Sequence, residues 1–262
     1  MNNAEKPQLT IPRVIGSLSF FNADNLEIMR GFKDNEFDLA IVDPPYGINV
    51  TKMAYTQEDN RPCKQKNGTT LNVKKKKYKH GDWDKEPAGI DYLIELKRIS
   101  KNQIIWGINY MDFHLKGGRL IWNKLVPDGV SFSDCEIAYC SLFERVENVY
   151  FKWAGMMQGV YCGKNIEKAT IQQGNKQLNE ERIHPTQKPV KLYEWILAQY
   201  AKTNMKILDT HLGSGSIAIA VEKANRLDKM NLQFVGIEID KEYYEAALNR
   251  IEQYCRQGTL SF

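Results

Sequence analysis

The residues of this chain best suited to chemistry are Asp43-Pro44-Pro45-Tyr46. They bring together a carboxylate, a main-chain carbonyl on a proline and an aromatic ring. That set suits alkylation of an exocyclic amino group on a flat base. Such a nitrogen is a poor nucleophile because its lone pair is delocalised into the ring. Asp43 and the carbonyl of Pro44 can each accept one of its two N–H bonds, draw it towards tetrahedral geometry and stabilise the positive charge that develops on it. Tyr46 offers a face on which a base flipped out of its helix can stack. Taken alone, the same four residues also fit a proline-stopped strand with a capping aspartate.

The elements that must position them are legible on either side. Leu39-Ala40-Ile41-Val42 is an apolar run of the kind that forms a buried strand. Two prolines cannot continue a ladder or a helix, so the strand ends at Asp43. Asp43 therefore stands at a strand's carboxyl end, the edge at which open α/β sheets bind ligands. A second unit follows far downstream. Residues 205–209 read as a strand, Thr210-His211-Leu212-Gly213-Ser214-Gly215-Ser216 as a glycine-rich turn, and 217–224 as the start of a helix. Glycines let the backbone approach a ligand, and the helix N-terminus offers free N–H groups. Residues 233–237 form a further strand ending at Glu238, an acid about 20 residues on, where a ribose is held by its hydroxyls. A dinucleotide fits Gly213-x-Gly215-x-x-Ala218 as well, but leaves the Asp43 turn unexplained. S-adenosylmethionine accounts for both units.

The remaining pattern is that of one α/β domain. Strands are expected at 18–21, 103–107, 119–123 and 136–140, and helices at 25–32 and 90–99. Asp24, between a strand and a helix, is either an N-cap or a ligand carboxylate at the site's edge. Residues 1–13 read as a loose arm. Residues 48–87 lose the apolar period and carry Lys74, Lys75, Lys76 and Lys77 among other basic residues, with Tyr55, Tyr78 and Trp83 interleaved. Lysine runs are usually solvated faces. Beside a base-handling turn, this one reads as a phosphate-contacting loop. Residues 155–182, polar and rich in Gln and Lys, read as a second variable segment for target recognition.

Composition excludes several classes. Of 262 residues, 42% are hydrophobic and 26% charged, ordinary values for a globular protein. The net charge of +4 is too mild to name a partner by itself. The five cysteines form no CxxC pair and no metal-ligand spacing, so no metal is expected. No secretory signal and no membrane span are visible, and a cytoplasmic setting with reduced thiols is expected.

The order of these motifs carries a resemblance. Asp43-Pro44-Pro45-Tyr46, then His184-Pro185-Thr186-Gln187-Lys188-Pro189, then the turn from Asp209 to Ser216 resemble the permuted (β-group) amino-methyltransferases of DNA, over residues 17–250. The resemblance implies a seven-stranded class I methyltransferase (Rossmann-like) sheet in circularly permuted order, with loops inserted for target recognition. The strand ending at Asp43 should lie beside the one ending at Asp209. Asp43, Pro44, Pro45 and Tyr46 would handle the base. Asp209, Gly213, Ser214 and Gly215 would bind the methionine part of S-adenosylmethionine, Glu238 the ribose and Asp24 the adenine. His184, Lys188 and Pro189 would pack against the cofactor. Trp106-Gly107-Ile108-Asn109-Tyr110 is similar to the family's next strand end. Asp in the first catalytic position favours adenine N6 in duplex DNA. Cytosine N4, an RNA adenine, or a silent nucleic-acid-binding relative stay open, and the family allows a homodimer. The family usually has Pro-Phe where this chain has Thr210-His211, which leaves an aromatic contact to be replaced by His211 or lost. Pro62-Cys63 and Glu147-Asn148-Val149 match short motifs of cytosine-C5 enzymes, which attack with a thiolate. Strings so short arise by chance.

Overall fold

The computed structural model describes residues 11–53, 63–64, 70–71, 83–128 and 133–259. The strands are β1 Arg13–Ile15, β2 Leu18–Asn22, β3 Leu39–Val42, β4 Cys63–Lys64, β5 Thr70–Leu71, β6 Gln103–Trp106, β7 Gly118–Asn123, β8 Cys135–Cys140, β9 Val146–Tyr150, β10 Trp153–Ala154, β11 Met157–Gln158, β12 Lys206–Asp209 and β13 Gln233–Glu238. The helices are α1 Asn25–Arg30, α2 Ile90–Ile99, α3 Ile166–Ala169, α4 Val190–Tyr200, α5 Ser216–Asp228 and α6 Lys241–Thr259.

Nine strands form one sheet in the order β1-β2-β13-β12-β3-β6-β8-β7-β9. The five strands from β2 to β6 run parallel, and β8 is antiparallel to both its neighbours. The seven strands β2 to β7 in this order match the expected sheet. The two further strands are edge additions: β1 folds back on β2, and β9 pairs in parallel with β7. The strand that ends at Asp43 does lie beside the strand that ends at Asp209, with Leu39 opposite Ile207 and Ala40 opposite Leu208.

Strands β3 and β6 are buried throughout, which is why they read as unbroken apolar runs rather than alternating ones. Alternation sorts their side chains onto two helix layers. Leu39 and Ile41 join Leu192, Ile196, Ile217, Val221, Leu248 and Ile251 from α4, α5 and α6. Ala40 and Val42 join Met29 of α1 and Tyr92, Leu93, Leu96 and Ile99 of α2. From β3 the chain moves on to β6 on one side, while from β12 it moves to β13 on the other. That reversal makes the gap between β3 and β12 the topological switch point, where a crevice opens above the carboxyl ends. Residues 155–182 hold part of the β10–β11 hairpin, the one-turn α3 and a 3-10 turn at Lys176–Leu178. No helix among the described residues is long and apolar enough to cross a membrane.

Candidate active site at the switch point

Asp43 is the first residue past β3 and faces a buried cluster of charge. Its Oδ1 accepts from the Tyr46 hydroxyl at 2.6 Å and pairs with Lys188 Nζ at 2.5 Å. The Lys188 ammonium, only 2% exposed, also reaches Glu136 Oε2 at 3.0 Å and donates to the Tyr46 oxygen at 3.0 Å. Lys124 pairs with the other Glu136 oxygen at 3.3 Å. Burial pushes the Asp43 carboxyl above its ordinary range against the pull of Lys188, and the charge of Glu136 adds to the rise. For Glu136, Lys188 and Lys124 outweigh burial and hold it low. For Lys188, the two carboxylates outweigh burial and hold the ammonium charged.

The turn after Asp43 is clamped by a residue from the far end of the basic segment. Asp84 Oδ1 accepts the N–H groups of Tyr46 and Gly47 at 2.8 and 2.9 Å, and Oδ2 accepts that of Val50 at 2.8 Å. The Tyr46 ring stacks on Tyr110, with centroids 5.0 Å apart and 14° between the planes. It also lies directly over Gly107. That residue has φ +69°, and a Cβ there would sit 2.0 Å from the ring. The turn needs glycine on both counts.

Beside Asp43 lies a cavity of about 290 Å³. Its lining includes Asp43, Pro45, His184, Lys188, Asp209, Gly213, Ser214 and Glu238. Asp209 is buried at the end of β12 and accepts the His211 N–H at 3.0 Å. Burial, with the charges of Asp43 and Glu238, raises its pKa to about 8 against that hydrogen bond. Glu238, ending β13, accepts the N–H groups of Gly213 and Asp240 at 2.8 and 2.9 Å. Burial raises its carboxyl too. Gly213 has φ +51°, which lets its N–H turn back to Glu238.

Two imidazoles line the same space, and both are neutral. Burial lowers the pKa of His211 to about 3, and burial together with Lys188 does the same to His184. The His211 ring meets Tyr92 edge-on and is held by Asn25 at 2.8 Å and Thr210 at 3.0 Å. It presents an uncharged planar ring where the family's usual phenylalanine is missing. The His184 ring sits between Trp83 and Tyr243.

Not every expected residue reaches the cavity. Asp24 caps α1, accepting the Glu27 N–H at 3.1 Å, and its neighbour Asn25 lines the cavity instead. Gly215 has φ +71° and lies against α6, where a Cβ would come within 2.9 Å of Ile251. It shapes the turn and the packing below it. Pro189 begins α4 as its N-cap residue. Tyr46 and Pro44 stand beside the cavity rather than in its wall. Lys74, Lys75, Lys76 and Lys77 lie outside the described residues. Glu147 of the Glu147-Asn148-Val149 string lies on β9, the last strand of the sheet, paired with Arg145 and Lys164. Cys63 is in β4, outside the main sheet.

Two participants escaped the sequence reading, and a third, Trp83, was read as an aromatic of the phosphate-contacting loop but lies against His184 in the cavity wall. Glu136 had a signal: it is a lone carboxylate in the otherwise apolar strand Cys135–Cys140, and a buried charge needs a partner. Asp84 had none, because its partners are long-range.

Comparison with known proteins fixes the class. A family model described as "DNA methylase", of the N6/N4 kind, matches residues 64–249, well over half of the chain. The chain belongs to this family, and DNA is the substrate class it implies. Type II methyltransferase M.BglII of Bacillus subtilis is 24% identical, across 92% of this chain and 75% of the relative. Type II methyltransferase M2.LlaDCHI of Lactococcus lactis subsp. cremoris is 23% identical, across 90% of each. Among solved structures, the M1.HpyAVI–SAM complex is similar at 17% identity with a TM-score of 0.49, covering 89% of this chain and 99% of that one.

Proposed function

We propose that this protein transfers a methyl group from S-adenosylmethionine to adenine N6 in duplex DNA, on a base flipped out of the helix. One observation carries the reading: the Asp43 carboxylate opens onto the cavity that Asp209, Gly213 and Glu238 also line. Acceptor and cofactor site thus share one space, as direct transfer requires.

The cavity suits that cofactor chemically. Burial raises the Asp209 carboxyl to about 8 with Lys188 the only opposing charge, and a ligand bearing sulfonium and ammonium groups stabilises its ionised form. Each Glu238 oxygen accepts one backbone N–H and keeps a lone pair for a ribose hydroxyl. Ile217, Ile239 and Tyr243 give apolar wall for a flat ring. Bound there, S-adenosylmethionine supplies an electrophilic methyl group.

The chain's own residues do the rest. Both the Tyr46 hydroxyl and Lys188 engage Asp43 Oδ1, so Oδ2 is the acceptor left for the base amino group. The Pro44 carbonyl is the second acceptor. Together they bias the nitrogen lone pair towards the methyl group and stabilise its developing charge. Tyr46, stacked on Tyr110 and seated on Gly107 beside the cavity, is assigned to stack the flipped base. Residues 155–182 and the lysines at 74–77 are assigned to DNA contact.

The test is methylation of mixed-sequence, unmethylated duplex DNA with labelled cofactor, followed by nucleoside analysis. N6-methyladenine supports the reading. N4-methylcytosine keeps the mechanism and overturns the base. A bound cofactor with no DNA product overturns the DNA adenine assignment and directs the assay to RNA.

A further inference from the structure

We infer that Lys188 and Glu136 form a positioning pair for Asp43, with Glu136 holding the lysine so that the catalytic carboxylate presents a single fixed oxygen to the base. The inference rests on the proposed role of Asp43. It moves Lys188 from the cofactor, where its motif suggested it belongs, to the acceptor side of the site.

The geometry leaves little freedom. An ammonium has three donors, and Lys188 spends them on Asp43 Oδ1 at 2.5 Å, Glu136 Oε2 at 3.0 Å and the Tyr46 oxygen at 3.0 Å. The nitrogen also lies 5.4 Å from the Tyr46 ring centroid and 5.3 Å from that of Trp106, so aromatic faces close the remaining space. With Tyr46 donating to the same Oδ1, a carboxylate that could otherwise rotate has one oxygen engaged twice and the other left for the base. Asp43, Lys188 and Glu136 come from three separate elements: the end of β3, the residue preceding the α4 cap, and β8. No local turn explains their meeting.

The charges explain why a pair is needed. A lone lysine beside Asp43 would be a buried ion pair with nothing to stop the ammonium from swinging across both oxygens. Glu136 gives the ammonium a second anchor, and Lys124 balances Glu136. A buried carboxylate without a cation becomes protonated, and a protonated Asp43 loses the negative charge that stabilises the amino nitrogen as it becomes positive. Burial already drives Asp43 upward, so Lys188 limits how far.

Four variants test this: Glu136→Gln, Lys188→Met, Lys188→Arg and Glu136→Asp. Three readouts are taken on the full chain: cofactor affinity, kcat at saturating cofactor on unmethylated duplex DNA, and the titration of the Asp43 carboxyl by carbon NMR. Glu136→Gln and Lys188→Met should each lower kcat about 100-fold, the scale of a 1 Å misplacement. Cofactor affinity should stay within about twofold in Glu136→Gln and fall less than kcat in Lys188→Met, because Lys188 also lines the cavity, and the Asp43 titration should move upward in Lys188→Met. Lys188→Arg and Glu136→Asp, which keep the charges, should recover part of kcat. Weakened cofactor binding by Lys188→Met with unchanged kcat at saturation would return the lysine to the cofactor. Glu136→Gln with wild-type kcat and an unmoved Asp43 titration would likewise refute the pair. If the wild-type protein yields no methylated base, the proposed reaction falls, while the NMR titration still decides whether the pair controls Asp43.

Discussion

Replacing Asp84 with alanine should loosen the catalytic turn without touching any reacting group. Its carboxylate accepts three main-chain N–H bonds, from Tyr46, Gly47 and Val50, all at 2.8–2.9 Å. Hydrogen bonds to a charged acceptor contribute about 1.5–3 kcal/mol each, and a buried donor left without a partner costs about 1–3 kcal/mol. Tyr46 and Gly47 are partly accessible, so water can replace their lost partner. Val50 is 1% exposed, so water replaces its lost bond least readily. A total near 3 kcal/mol follows, below the simple sum because the three bonds share one side chain. With a urea slope of about 3 kcal/mol/M, at the top of the range for small proteins, the unfolding midpoint should fall by about 1 M. Asp84→Asn should cost less. Its carbonyl can still accept from Tyr46 and Gly47, but its amide group would face the Val50 N–H donor to donor. Hydrogen exchange at those three amides locates the effect, because a local opening raises their exchange before the global midpoint moves. Wild-type exchange and a midpoint shift under about 0.3 M in Asp84→Ala would refute the clamp.

Other outcomes follow from the same geometry. Asp43→Ala should abolish methyl transfer while leaving cofactor affinity within a few-fold, measured by calorimetry; loss of both would remove Asp43 from its assigned role. Gly107→Ala should cost more than about 2 kcal/mol in urea unfolding, because a Cβ 2.0 Å from the Tyr46 ring must displace it and the φ of +69° is strained for alanine; a neutral substitution would show that the ring is not held there. Cofactor affinity should rise with pH and level off above about 8. The free protein holds Asp209 protonated below that value, and a cationic ligand selects the ionised form, so a proton is released on binding. Asp209→Asn should flatten the dependence, and a wild-type affinity that does not change between pH 6 and 9 would sink the assignment.

Legibility in the sequence followed the range of the interactions. Strands β3, β6, β12 and β13 were readable because their burial is written locally, as short apolar runs ending at Asp43, Gly107, Asp209 and Glu238. Pairing of β3 with β12 came from motif order, which local pattern alone cannot supply. The edge strand β9 was not anticipated, since its inward positions are Glu147 and Val149, and a buried glutamate breaks the apolar alternation. Asp24 shows the opposite limit. Sequence placed it correctly between strand and helix, but only coordinates separate a cap from a cavity wall one residue away. Asp84 follows a stretch without apolar period, so composition could not announce it, and Trp83, noticed as an aromatic of that stretch, could not be placed beside His184 from local pattern.

The topology accounts for why such distant residues converge. In this order the strand bearing the proposed acceptor group, β3, and the strand bearing the carboxylate proposed for the cofactor, β12, are immediate neighbours, though their ends lie at residues 43 and 209. The chain departs from the switch point in both directions, so no crossover covers the gap between them. What closes it is the segment between His184 and Lys188, which leads into α4: His184, Gln187 and Lys188 all line the cavity, and Lys188 also meets Asp43. Gln187 also donates to Glu180 at 2.8 Å, and Glu180 pairs with Arg250 of α6 at 2.6 Å. Arg250 in turn donates to the Ser214 carbonyl in the glycine turn at 2.7 Å. One short connection therefore touches the acceptor, the cavity and the turn at once. A shift in it would be felt on both sides of the reaction, which is why Lys188 variants must be read with cofactor affinity and turnover measured separately.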